Sequence, residues 1–103
     1  MSGVLDPRSK LLKELPTQEH AVLKMHRRDF DVSIAHTFKV IIGGRAEHRY
    51  MQMRVGAVIA KINAKFAAMK PATALRISPG IQRGTYRLEY RHTTLKRKKL
   101  TRK

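Results

Sequence analysis

The sequence predicts a single α+β domain: a short N-terminal helical segment, then β-α-β-β with one long helix packed on a small sheet, and a basic C-terminal tail. Three observations predict it: apolar residues alternate from Phe30 to Ile42, a helical stripe runs within Arg45 to Met69 and stops before Pro71, and a second alternating run follows the Pro79-Gly80 to Gly84 loop. A chain of 103 residues has room for one modest core. The expected organisation is a helical segment over 1–29, a core domain over 30–95 and a basic extension over 96–103.

Asp6-Pro7 reads as a helix start, because Asp caps free amides and proline at the first helical position loses no hydrogen bond. A short helix from Pro7 to Leu15 is expected, and after Pro16-Thr17 the spacing of Ala21, Val22 and Met25 continues a second through Arg28. From Phe30 to Ile42 the even positions read Phe, Val, Ile, His, Phe, Val, Ile, while Asp31, Ser33, Thr37 and Lys39 fall between them. Period two predicts strand, either one long strand or two pieces bent near Ala35-His36. Gly43-Gly44 then permits a sharp turn.

Within Arg45–Met69, the residues Met51, Val55, Val58, Ile59, Ile62, Phe66 and Met69 fall on an arc of about 100°, the width of a core-facing stripe. The opposite side carries Gly56, Ala57, Ala60, Ala64, Ala67 and Ala68, and Arg54, Lys61 and Lys65 line one shared edge. The small-residue face is expected to pack against a partner, although good helix formers facing solvent would produce the same pattern. Residues Thr73 to Ile77 and Thr85 to Leu95 read as a hairpin, with Tyr86, Leu88 and Tyr90 alternating against Arg87, Glu89 and Arg91.

Lys and Arg number 23 against seven Asp and Glu, a formal net charge of +16. A charge of this size demands an acidic partner, and the 42% hydrophobic content argues for a folded core rather than a disordered polycation. The charge is unevenly placed. Residues 1–47 hold eight Lys or Arg and six acids, whereas residues 48–103 hold fifteen and one acid, Glu89. The second half is therefore the expected polyanion-facing half. Its candidate phosphate contacts are Arg54, Lys61, Lys65, Arg76, Arg83, Arg87, Arg91, Lys96, Arg97, Lys98, Lys99, Arg102 and Lys103. Arg87 and Arg91 are expected on one sheet face, which Arg76 joins if the hairpin register allows; there arginines grip phosphates bidentately or, equally, Arg pairs with Glu89 at an ordinary solvated surface. Tyr86 and Tyr90 keep step with Leu88 and are expected in the core, with stacking of unpaired bases as the alternative.

Other chemistries find little support. Absence of Cys excludes thiolate nucleophiles, iron–sulfur clusters and Cys-based zinc sites. His20, His26, His36, His48 and His92 show no H-E-x-x-H spacing and no clustering with acids, so neither a metal nor a cofactor is expected; His36, on the apolar phase of its run, is expected as a core histidine. The Gly43-Gly44 turn lacks the spacing of a P-loop or dinucleotide fingerprint, and no catalytic constellation or small-molecule substrate is suggested. Val55–Ala60, the longest apolar stretch, is far short of the roughly 20 residues that span a bilayer. Residues 1–15 show no signal or transit segment, and Met1 favours an unprocessed start.

A compact basic domain with a basic extension and a small-residue helix face is similar in general character to the small proteins of ribosomes, including divergent organellar ones. The expectation is a structural, non-enzymatic, RNA-binding component of a ribonucleoprotein particle, in the cytoplasm or mitochondrial matrix, touching neighbouring proteins and preferring RNA to DNA. Two rivals share the charge: a DNA-binding or packaging protein acting as a homo-oligomer, and a structural protein docking on an acidic protein assembly.

Overall fold

The computed structural model describes residues 6–70 and 72–90. Their elements are α1 (Pro7–Leu12), α2 (Thr17–Met25), β1 (Asp31–Ser33), α3 (Ile34–Ile41), α4 (His48–Ala67), β2 (Leu75–Pro79) and β3 (Thr85–Tyr90). The fold is α+β: an antiparallel sheet of order β1-β3-β2 lies under a layer of helices led by α4.

The N-terminal helices begin where capping chemistry dictates. The Asp6 carboxylate accepts from the Ser9 amide at 2.8 Å and Pro7 opens the first turn. α1 ends at Leu12, one turn short of the expected Leu15, and α2 ends at Met25 rather than Arg28. Arg8 explains the second stop: its Nε donates to the His26 carbonyl at 3.1 Å and its Nη2 to the Lys24 carbonyl at 2.9 Å. A guanidinium thus takes up carbonyls that α2 leaves without intrahelical donors and ties α1 to its end.

The expected strand over Phe30–Ile42 is corrected. Only Asp31–Ser33 is strand, pairing with β3, and α3 follows without a break. Ser33 is the reason: its hydroxyl accepts from the His36 amide at 2.9 Å, capping a helix in which Thr37 bonds back to the Ser33 carbonyl at 3.1 Å. Ile34 and Phe38 satisfy period two and period 3.6 alike, but the residues buried with them follow the helix: Thr37 is buried and Ile41 half-buried, whereas Val40 and Ile42 are exposed. His36 lies on the exposed side, and among the described residues the fully buried histidine is His26. Gly43 and Gly44, both at φ 91°, then turn the chain back towards α4 as expected.

The long helix spans His48–Ala67, shorter at both ends than the expected Arg45–Met69. Met51, Val55, Val58, Ile59, Ile62 and Phe66 are buried as the stripe predicts, and Met69 packs half-buried beyond the helix end. They meet Leu11, Val22, Leu23, Ile34 and Phe38 from the other helices and Leu75, Ile77 and Leu88 from the sheet in one core. Leu75, Ile77 and Leu88 share the inward sheet face. Arg76 pairs with Glu89 and Ser78 with Arg87 on the outward one. β2 starts two residues later than the expected Thr73, and β3 is described to Tyr90, so its expected continuation to Leu95 lies outside the described residues.

Candidate nucleic-acid interface

One helical period places the small residues and the basic row of α4 side by side. Ala57, Ala60, Ala64, Ala67 and Ala68 are exposed. Tyr50 and Met53 extend the same outward side, at 41% and 60% exposure, so the face of a 20-residue helix away from the core is apolar along most of its length. Gly56 differs: it is half-buried beneath the sheet, where an added Cβ would lie 3.6 Å from the Tyr86 hydroxyl. Its place in the pattern therefore reflects close packing of helix on sheet.

The basic edge flanking this face is partly engaged within the chain. Arg54 stands over the Tyr50 ring, 5.5 Å from its centroid, and donates to the Tyr50 hydroxyl. Tyr50 in turn meets Phe38 edge to face at 6.0 Å. Lys65 lies 3.5 Å from the buried Glu19 carboxylate, too far for a strong hydrogen bond but close enough to offset its charge. Lys61, between them, is exposed.

Between α4 and the edge strand β2 lies a recess of about 280 Å³, walled by Ala60, Ala64 and Ala67 on the helix, by Thr73 and Ala74 in the segment before the strand, and by Arg76 on the strand. The Arg76 Nε is buried without a hydrogen-bond partner among the described residues. The expected basic sheet face is only partly free. Arg87 Nε donates to Asp31 at 2.8 Å and Nη2 to the Asp29 carbonyl at 2.9 Å, while Nη1 stands 4.0 Å from Glu89. The carboxyl of Asp31 is held below its usual range, chiefly by the Gln82 amide and also by Arg87. Arg83 is exposed in the β2–β3 loop. Arg91, Lys96, Arg97, Lys98, Lys99, Arg102 and Lys103 lie outside the described residues.

Tyr90 departs from expectation. It was to share the core with Leu88, yet it is 42% exposed, and the Arg28 guanidinium stands over its ring at 5.2 Å. Register accounts for this: Tyr90 pairs with Leu75 at the outer end of both strands, past the area that the helices cover. A second recess of about 230 Å³ opens there, lined by Arg8, Arg27, Arg28 and Asp6 around Leu75, Leu88 and Tyr90. Arg27 and Arg28 do not stand out in the sequence because they sit in the half with little net charge. Their signal was the consecutive pair itself, placed just before the strand that β3 binds.

Acids are scarce on the remaining surface. Asp6 caps α1, Glu19 faces Lys65, and Asp31 and Glu89 face Arg87, so most of the seven acids serve local structure. Among the described residues no group of three His, Asp or Glu is placed to hold a metal ion, and no helix is long and apolar enough to cross a membrane. Comparison with protein-family models, curated proteins and solved structures found no match to this chain.

Proposed function

We propose that this chain is an RNA-binding structural component of a ribonucleoprotein particle, similar in kind to a small ribosomal protein, and that it performs no chemistry of its own. The observation that carries the reading is the imbalance of the surface. Of 23 Lys and Arg, few meet a carboxylate among the described residues, because the seven acids are largely drawn into caps and internal pairs. A folded core under such a surface has a large electrostatic free energy to gain from phosphates, through release of their condensed counterions. Phosphate contact falls first to Lys61, Arg83 and the basic stretch 96–103, with Arg54, Lys65 and Arg76 beside them.

The apolar outer side of α4 supports the second half of the reading, contact with neighbouring proteins of the particle. A face of Tyr50, Met53 and alanines gains little from water and allows a close approach. Cytoplasmic and mitochondrial ribosomes are the settings this proposal covers. The endogenous protein is expected to sediment with a large particle through a sucrose gradient and to move to the top after ribonuclease treatment. Sedimentation unchanged by ribonuclease would favour docking on an acidic protein assembly, and release by deoxyribonuclease a DNA-packaging role.

A further inference from the structure

The recess at Tyr90 brings an apolar floor, an exposed aromatic ring and several arginines into one concavity. Its floor is apolar, made by the buried Leu75 and Leu88. Tyr90 supplies an exposed aromatic ring, and Arg28 lies over that ring with its own flat guanidinium. Arg27 and Arg28 are exposed, while Arg8, behind them, holds its place by donating to the carbonyls at the end of α2. Among the described residues Asp6 is the one carboxylate lining the recess, and it is turned to the Ser9 amide, so described cations outnumber anions here.

We propose that this recess holds a single unpaired nucleotide of the bound RNA, with the base against the Tyr90–Arg28 stack and the phosphate on the exposed guanidinium groups of Arg27 and Arg28. The inference rests on the RNA-binding reading and names the chemistry of one of its contacts. A flat base suits an aromatic ring and an arginine plane, and the guanidinium fork suits a phosphate. Each half of the site thus has its own complement. A hydrated inorganic anion would leave the leucine floor and the ring unused, a protein carboxylate would need the arginines alone, and a duplex keeps its bases stacked within the helix. In the sequence, Arg91 follows Tyr90 and the basic stretch 96–103 begins six residues after it.

The test uses the full chain and three fluorescein-labelled probes at fixed salt: hexauridylate, an abasic ribose-phosphate hexamer of equal charge, and a blunt RNA hairpin, each read by anisotropy. Hexauridylate is expected to bind about tenfold tighter than the abasic hexamer, within the range that base–aromatic stacking contributes. Tyr90→Phe should retain that preference, and Tyr90→Leu should abolish it with hairpin affinity little changed. Arg28→Ala, an exposed substitution outside the helices and strands, should weaken hexauridylate by a similar factor and guards against loss of fold in the Tyr90 variants. Equal affinity for the abasic and base-bearing hexamers, or competition by hexaglutamate as strong as by unlabelled hexauridylate, overturns the proposal while RNA binding stands. Failure to bind even the hairpin sinks the RNA-binding reading and this site with it.

Discussion

The Asn63 carboxamide occupies the open edge of the sheet at Ile77: its Nδ2 donates to the Ile77 carbonyl and its Oδ1 accepts from the Ile77 amide, both at 2.8 Å. A side chain from α4 thus makes the pair of bonds that a neighbouring strand would make. Alternate residues of an edge strand point their amides outward, so Leu75 and Pro79 face the same way. The Leu75 amide is taken by the Thr73 hydroxyl at 3.1 Å, and Pro79 has no amide to offer. Every outward donor of β2 is thereby removed from reach of another chain. Asn63→Ala is expected to lower stability by about 2 kcal/mol, two hydrogen bonds lost at a partly buried site, and to promote aggregation on heating. Urea unfolding and light scattering check the two effects.

Arg87 serves the sheet before it serves any ligand. It joins β3 to the start of β1 through Asp31 and the Asp29 carbonyl, and Asp31 also accepts from the Gln82 amide at 2.9 Å in the β2–β3 loop. Arg87→Ala should therefore lower the melting midpoint clearly, whereas Arg83→Ala, in the exposed part of that loop, should leave it unchanged and reduce the salt slope of RNA binding by about one phosphate contact. Differential scanning calorimetry beside anisotropy separates the two arginines. An Arg87→Ala protein as stable as the parent would contradict the assignment.

Gly80 marks the closest approach in the hairpin. A Cβ there would run into the Thr85 hydroxyl and lie 2.6 Å from Asp31 Oδ1, and neither group is free to leave, since Asp31 is held by Gln82 and Arg87 and the Thr85 hydroxyl donates to the Gln82 carbonyl at 2.6 Å. Gly80→Ala is expected to destabilise by about 2 kcal/mol, the usual scale of overpacking. Equilibrium urea denaturation measures it.

His26 gives the fold a pH dependence. It is fully buried, its Nδ1 meets the Val22 carbonyl at 2.8 Å and its Nε2 has no partner among the described residues. Burial is the chief cause that pushes its pKa below 6.5, with the nearby Arg8 charge acting the same way and the Val22 bond opposing them. The unfolded chain therefore binds the proton more tightly. Stability should be complete above about pH 7 and fall as pH drops below 6.5, by at most about 1.4 kcal/mol per pH unit, until the folded-state pKa is passed. His26→Gln should flatten this part of the curve, and thermal melts between pH 7.5 and 5 show whether it does.

What the sequence revealed divides along physical lines. The α4 stripe was legible because six apolar residues, Met51 to Phe66, kept one period over about four turns, and the Asp6-Pro7 start because its cap is local chemistry. α3 was not, because Ile34 and Phe38 fit both periods and the decision rested on the Ser33 cap. For the candidate site, the basic row and alanine face of α4 could be read as a pattern. The use of Arg87 by Asp31, and the meeting of Arg27, Arg28 and Tyr90, depend on strand register between segments some sixty residues apart in the chain, which periodicity does not encode.

Electrostatic attraction between this chain and RNA is the central requirement of the proposed function. The chain's affinity for a structured RNA, followed by anisotropy across salt concentrations, is expected to be strong in dilute buffer and to fall steeply and linearly in log–log form, with a slope of about −0.9 for each duplex phosphate neutralised and several phosphates engaged. Absence of binding in dilute buffer, or an affinity indifferent to salt, would contradict it.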